Sequence, residues 1–424
     1  MVHSQFKLLS KQQFLPLFIT QALGAFNDNL FKNSLVILVT FSLGHQTSMD
    51  PRQLVALAGG LFILPFFLFS ATAGSIADGY EKSILIRYIK LAEIFISALA
   101  IFALFKQDIT FLLAVLFFLG AQSAFFGPLK YGILPQHLRQ NELVGANALI
   151  ETATFMAILI GTIVGGIFIL MPQGPLIVSV IMAVSAVAGY MACRFIPKAE
   201  PEHGPLKIKW NILSETARTI KFARSDPIVF SAILGDAWFW FLGSVFLAQL
   251  PVYTKDILHG DETLVTFFLT LFSIGIGIGA LLCNALLKGE ASARFAPWAA
   301  LGMAIFCADL YFASPQAAPG TDLQSFMTFL QTTSGLRISF DLLAITTTAG
   351  LFVVPLFALV QARARPEFRA RTIAADNIIG SGAIVLSAVF VIVLAQFNLS
   401  IVDVFLCLAG LNVIVAALVS RIKA

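Results

Sequence analysis

From Phe14 to Phe41 the chain reads FLPLFITQALGAFNDNLFKNSLVILVTF, an apolar run broken at its centre by Asn27, Asp28 and Asn29, with Lys32 one helical turn further on. At about 1.5 Å of rise per residue, a helix of this length crosses a bilayer with some tilt. The polar group then falls near the midplane, where one ionised side chain costs about 2.5–3.5 kcal/mol on insertion scales. Asp28 and Lys32 are four residues apart, so they share a helix face and partly neutralise each other. A lipid-facing helix has no use for such a cluster. It must face a bundle interior or an aqueous cavity, and it reads as the floor of a substrate path.

The rest of the chain repeats the apolar pattern. Of its 424 residues, 58% are hydrophobic and 12% charged, arranged in long apolar blocks; this is the composition of a polytopic helical membrane protein and excludes a soluble globular domain. Twelve spans are expected, at 14–41, 53–77, 84–105, 109–128, 143–170, 175–195, 228–252, 263–287, 295–313, 338–361, 373–396 and 401–420. With a cytoplasmic N-terminus, 22 of the 27 Lys and Arg residues fall on the cytoplasmic side, Arg52, Lys106, Lys255 and Arg337 on the other, and Lys32 inside the membrane. That asymmetry predicts cytoplasmic termini. The net charge of +4 is spread over short loops, so it does not indicate nucleic acid. Lys7 and Lys11 precede an apolar run as in a signal peptide, but the run exceeds the ~7–15 residues of a signal core and is kept as a span. Cys193, Cys283, Cys307 and Cys407 lie in apolar segments without metal-ligand spacing and read as small buried side chains.

The only long polar segment on the basic side is 197–227. Within 210–224, Ile212, Leu213, Thr216, Ile220 and Phe222 alternate with Lys and Arg, which predicts an amphipathic helix lying on the inner leaflet. This linker separates an N-terminal six-helix bundle (1–196) from a C-terminal one (228–424), the arrangement of a major facilitator with a central cavity between its halves. Gly74-Ser-Ile-Ala-Asp78-Gly79-Tyr80-Glu81-Lys82, directly after span two, looks like the loop signature of that fold. Its logic is a gate made of Gly74, Asp78 and Lys82: the glycine allows close helix approach, and the carboxylate accepts from a neighbouring helix N-terminus or pairs with a cation. The corresponding stretch of the second half, after Gly279, has Cys283, Asn284 and Lys288 and is a degraded copy.

Other polar residues fall at span depth. Lys130 follows Gly127-Pro128, which should end or distort span four. Asn147 and Glu151 stand one turn apart in span five, where a buried carboxylate must be paired or protonated. Lys90 and Glu93 read equally as a structural ion pair or as site residues. Asp236 lies beside Trp238 and Trp240, a place suited to an amphiphile's polar–apolar boundary. Asp376-Asn377 reads as a helix-start or gate feature rather than a ligand site. Asp309, Asp341 and Asp403 sit near the outer ends of their spans. His45 and Asp50 have the spacing of a glycerolipid acyltransferase motif, but in a short outer loop with no domain to build a pocket, so the match reads as chance. Neither a nucleotide-binding loop nor a metal cluster nor a catalytic triad is visible. The chain therefore reads as a transporter, not an enzyme, with no cofactor beyond a coupling H⁺ or Na⁺.

Three strings carry a narrower resemblance: Ala25-Phe-Asn-Asp-Asn-Leu-Phe-Lys-Asn33, Phe126-Gly-Pro-Leu-Lys-Tyr-Gly-Ile-Leu-Pro135, and Asn147-Ala-Leu-Ile-Glu151 followed by Gly161-Thr-Ile-Val-Gly-Gly166. They resemble the bacterial lysophospholipid transporter family, most closely the transporter part that some bacteria fuse to acyltransferase and acyl-carrier-protein ligase domains. The resemblance covers essentially the whole chain. It implies movement of lysophosphatidylethanolamine-like lipids from the outer to the inner leaflet of a bacterial inner membrane for reacylation, with an acyltransferase or acyl-carrier-protein ligase as partner; a monomer is expected. Family members often carry a cation within span seven, whereas 228–252 holds Asp236, Trp238, Trp240 and Gln249 but no Lys or Arg. A zwitterionic head group needs a cation near its phosphate, for which Lys32 and Lys130 are candidates, and a carboxylate near its ammonium, for which Asp28 and Glu151 are candidates. Asn27, Asn29, Asn147 and Asp236 complete the expected substrate or coupling group. The alternatives are an ion-coupled exporter of drugs or other amphipathic molecules, with Asp28 or Glu151 as its proton site, and a membrane acyltransferase using His45 and Asp50.

Overall fold

The computed structural model describes residues 5–43, 51–201, 211–315 and 323–422. His45, Asp50 and Trp210 lie outside the described residues. The N-terminal half comprises α1 (Leu15–Leu38), α2 (Pro51–Gly79), α3 (Lys82–Lys106), α4 (Ile109–Gly132), the short α5 (Leu134–His137), α6 (Leu143–Ile169) and α7 (Gly174–Cys193). The linker contributes α8 (Ile212–Ala223). The C-terminal half comprises α9 (Pro227–Val252), α10 (Glu262–Leu287), α11 (Ala296–Ala313), the short α12 (Phe326–Leu330), α13 (Thr333–Arg363), α14 (Arg369–Gln396) and α15 (Ile401–Val419). The described residues contain no β-strand.

Helix starts follow the sequence's own caps. Asp108, Asp226 and Asp261 accept backbone N–H groups at the first turns of α4, α9 and α10, and Ser400 with Asp403 forms a capping box on α15. Pro128 does not end its helix: α4 runs on to Gly132. A membrane bundle tolerates the lost backbone bond because neighbouring helices re-satisfy it, and the extra turn keeps Lys130 and Tyr131 on the helix.

Among the described residues, eleven helices are long and apolar enough to cross a membrane, so the protein is a multi-pass membrane protein. At 24 residues α1 has the length for a crossing, about 36 Å. Gln21, Asn27, Asp28, Asn29, Lys32 and Asn33 lower its hydropathy, which is compatible with twelve spans. α1 packs on α6 through small residues: a Cβ on Gly161 would stand 2.6 Å from the Phe26 carbonyl oxygen, and one on Gly165 2.5 Å from that of Leu30.

The halves meet at the end of the bundle that carries the basic loops. There the Gln5 amide donates to the Leu281 carbonyl (3.2 Å), and Asn147 and Gln361 exchange two hydrogen bonds (2.7 and 3.1 Å). Farther along, Phe155 meets Phe239 edge-on at 6.0 Å. Toward the other end α14 exposes Val385, Leu386, Val389 and Ile392, and space beside Gly59 and Gly60 of α2 is open.

The linker helix, expected to lie on the inner leaflet, also packs on the bundle. It buries Glu215, Thr219 and Ala223 against α2 and α14, and the Phe222 ring lies 4.4 Å from that of Phe368. Leu213 is left 77% exposed. The helix packs along its polar and small-residue stripe because a buried acidic partner, described below, outweighs the contact its apolar side chains could make.

Candidate functional site

A cavity of about 490 Å³ lies between the halves. On its floor, one oxygen of the Asp28 carboxylate accepts the Ser123 hydroxyl of α4, and the other has no hydrogen-bond partner among the described residues. Lys32 turns elsewhere: its Nζ lies 5.5 Å from the centre of the Phe62 ring of α2. Among the described residues no ion pair joins Asp28 to Lys32; they act on each other electrostatically without direct contact. The spacing allows a pair, but α4 offers Asp28 a hydroxyl and α2 offers Lys32 an aromatic face. Asn29 lines the cavity and donates to the Ala25 carbonyl (2.8 Å). Asn27 points away from it, binding Ser97 of α3 (3.3 Å) and Ser185 of α7 (2.8 Å); it ties helices together and does not reach the cavity.

Glu151 and Lys130 also line the wall. Tyr131 donates its hydroxyl to Glu151 (2.6 Å), while Lys130 Nζ stands 4.4 Å from the centre of the Tyr131 ring. The same ring meets Phe357 of the other half at 4.3 Å. Tyr131 was not singled out from the sequence; its place directly after Lys130, at the continuation of a proline-bearing helix, was the available signal. Asn147 faces Gln361 instead and is fully buried. It closes the two halves together and does not line the cavity. Lys90 and Glu93 form a buried ion pair within α3, to which Gln122 donates at 3.0 Å. Lys90 fills a slot between glycines: a Cβ on Gly24 or Gly189 would approach its ammonium to 3.2 or 3.3 Å.

From the C-terminal half, Trp240, Asp376 and Asn377 line the cavity, with Asp236 behind them. The reading of Asp376 as a helix-start feature is corrected. α14 begins at Arg369, earlier than the expected 373, so Asp376 stands about two turns inside the helix. Its carboxyl group and that of Asp236 lie within hydrogen-bonding reach of each other.

At the basic end, the Asp78 carboxylate accepts the backbone N–H groups of Ala370 (2.8 Å) and Arg371 (3.1 Å). These are the first, unsatisfied donors of α14, where a negative charge is favoured. A Cβ added to Gly74 would come within 2.6 Å of the Ala374 Cβ, so only glycine permits this approach. Lys82 is buried beside Gly132, its Cε 3.7 Å from where a Cβ would stand there. The linker completes the arrangement. Ser75 Oγ donates to Glu215 (2.6 Å) and accepts from Arg371 Nε (3.1 Å), and a terminal nitrogen of Arg371 lies 3.7 Å from Glu215. Glu215 was missed because an acidic residue in the first turn of an amphipathic helix ordinarily reads as solvated.

A family model described as the Major Facilitator Superfamily matches residues 17–420. The chain belongs to that superfamily. Over 398 residues it is 27% identical to the lysophospholipid transporter LplT of Escherichia fergusonii, covering 91% of this chain and 89% of that protein. It is 27% identical over 393 residues to the protein of the same name from Citrobacter koseri, with the same coverage. The resemblance carried by the three sequence strings thus extends along the chain. Among solved structures, a bacterial homologue of the iron transporter ferroportin in an outward-facing state superposes with a TM-score of 0.69 at 17% identity, covering 95% of this chain and 99% of that one. The human organic anion transporter MFSD10 gives 0.71 at 13% identity, covering 96% and 99%. At these identities the structures speak for the fold. As a member of this superfamily the chain is a transporter rather than an enzyme.

Proposed function

We propose that this major facilitator moves lysophospholipids from the outer to the inner leaflet of a bacterial inner membrane, its basic end facing the cytoplasm. The observation that carries the reading is the composition of the cavity. Ammonium groups (Lys32, Lys130) and carboxyl groups (Asp28, Glu151, Asp376) line one cavity, together with apolar side chains that include Phe62, Phe66, Phe155 and Leu247. A phosphate with an attached ammonium needs both signs of charge, held by charge-assisted hydrogen bonds. A single acyl chain needs only the apolar wall. Bringing the head group into a charged, enclosed site replaces its hydration shell and avoids carrying it through hydrocarbon, where buried charge is costly.

In the proposed cycle, substrate enters while the basic end is closed. The Asp78–α14 contact and the Glu215–Ser75–Arg371 chain then separate, and the cavity opens to the cytoplasm. No covalent step is needed. A lysolipid delivered there is a substrate for reacylation, which makes a cytoplasmic acyltransferase or acyl-carrier-protein ligase the natural consumer, and a coupling ion would use the cavity carboxylates. The similarity to lysophospholipid transporters supports the substrate class, and the 22-to-4 distribution of basic residues supports the orientation.

The test is uptake of labelled lysophosphatidylethanolamine into proteoliposomes, with a labelled cationic drug as control. Lysolipid uptake with little drug uptake is expected. Drug movement without lysolipid movement would replace this reading with the exporter alternative.

A further inference from the structure

The two walls of the cavity carry different charges. The N-terminal half supplies the lysines that line it, Lys32, Lys90 and Lys130, of which Lys90 is already bound to Glu93. Among the described residues of the C-terminal half no lysine or arginine lines the cavity; Asp376 does, with Trp240 and Asn377 beside it. Asp376 and Asp236 are 3% and 2% exposed, and one oxygen of each lacks a hydrogen-bond partner among the described residues. The indole of Trp240 lies within hydrogen-bonding reach of Asp236 and is seated against Gly380, where a Cβ would come within 3.3 Å of the ring.

Among the described residues, the charged groups on the elements packed around this pair offer it no counter-charge. Glu151 of α6 is acidic and already accepts from Tyr131 of α4, and Lys130 of α4 lies over the Tyr131 ring. Arg371 of α14, Asp78 of α2 and Glu215 of α8 are joined in the gate. Arg363 of α13 pairs with Asp226, Arg337 of α13 pairs with Asp309 of α11, Asp341 of α13 lies one turn beyond Arg337, and Asp403 of α15 caps its own helix. Two carboxyl groups facing each other in a site of low dielectric cannot both be ionised. A proton between them is the smallest cation that satisfies both.

We infer that Asp376, backed by Asp236, is the subsite for the cationic group of the substrate, and that the pair holds one proton when the cavity is empty and releases it when a primary ammonium binds. The inference rests on the lysophospholipid reading and specifies its head group. The O–H bond shared by the pair is the only bond that breaks, its proton passing to cavity water as the ammonium takes its place. The head group then lies across the cavity, phosphate toward Lys32 and Lys130, ammonium toward Asp376.

The experiment measures binding of lysophosphatidylethanolamine and lysophosphatidylglycerol of equal chain length to the purified full chain in nanodiscs. Calorimetry in two buffers of different ionisation enthalpy reads the protons released per lipid bound. For the native chain, close to one proton should leave with the ethanolamine lipid and none with the glycerol lipid. In Asp376→Asn the release should vanish, and the ratio of the two affinities should fall about tenfold or more, as expected for loss of a charge-assisted contact. Asp236→Asn should abolish release with a smaller change in the ratio, because Asp236 does not line the cavity. Asp376→Glu, which keeps the carboxyl group, should restore release and guards against reading a folding defect as a lost site. Equal release with both lipids, no release, or an unchanged ratio in Asp376→Asn would overturn the subsite alone. Failure of the native chain to bind either lysolipid would overturn the transport reading along with it.

Discussion

At the basic end of the bundle the two halves are joined by buried polar contacts: Asp78 on the first N–H groups of α14, Glu215 with Ser75 and Arg371, and Asn147 with Gln361. At the other end α2 and α14 present Leu57, Leu64, Val385, Leu386 and Ile392 as exposed apolar side chains, with open space beside Gly59 and Gly60. The contrast is one of kind. Apolar surfaces close gradually and without direction, whereas a buried polar contact is either made or leaves costly unsatisfied groups behind. A gate of the second kind has two states and few between them. In the proposed cycle the basic end is therefore the one that sets when the cavity changes sides.

The largest expected effect removes the approach itself. Gly74→Leu places a side chain where even a Cβ meets Ala374 and the Ala370 carbonyl oxygen (2.9 Å), so α2 and α14 must separate. Uptake should fall to background, and a cysteine introduced next to Ala370 should become reactive to water-soluble reagents. Persistent uptake at matched protein level would mean that this end need not close.

Next come the cavity residues, which sharpen the comparison because they should stop transport without opening the gate. Asp28→Asn and Lys32→Met should each reduce uptake at least about tenfold, the scale of a lost charge-assisted contact in a desolvated site, with cysteine reactivity at the basic end unchanged. Since Asp28 bonds to Ser123 rather than to Lys32, the double variant should stay inactive. Recovery in the double variant would restore the simple ion pair and remove Asp28 from the transport path.

Glu215→Ala should do less. It takes the Glu215 carboxylate away from the guanidinium of Arg371, only 4% exposed, which keeps its bond to Ser75. The Asp78 contact to backbone N–H groups remains. Uptake should drop several-fold, about 1 kcal/mol in the gate equilibrium, and reactivity at the basic end should rise modestly. A helix merely resting on the membrane surface would give no change in either readout.

The architecture was legible because its determinants are local and repetitive: apolar blocks, capping aspartates, a polar break in α1 and a biased distribution of Lys and Arg. Gly74 and Asp78 were legible for a similar reason, since a short loop signature brings its own geometry. The cavity was legible only in part. Asp28, Asn29, Lys32, Lys130 and Glu151 line it, but Asn27 and Asn147 stand among the same polar strings and turn to other helices. Spacing gives the face a residue occupies, not which neighbour that face meets. Asp376 was misjudged through a helix start placed four residues late, which moved it from a wall to a cap. Glu215 could not be found by pattern, because its partners Ser75 and Arg371 are 140 and 156 residues away in sequence.

The smallest effect is expected where the contact is neutral. Asn147 and Gln361 donate to each other's side-chain oxygens, and the Asn147 amide also donates to Leu143 of its own helix (2.9 Å). Removing either residue leaves the other's buried amide short of a partner, at about 1–3 kcal/mol; removing both leaves no orphan. Asn147→Ala and Gln361→Ala should therefore be non-additive by about 1 kcal/mol in a double-mutant cycle. Where that coupling appears is the sharper question. Because the contact crosses the halves at the gate, it should appear in the accessibility of the basic end, with the double variant closer to the native chain than the sum of the singles predicts. It should also be lost when the basic end is held open by Gly74→Leu. If the coupling appears in thermal stability but not in accessibility, the amide pair is packing that happens to span the interface, and the gate consists of Asp78, Ser75, Glu215 and Arg371 without it.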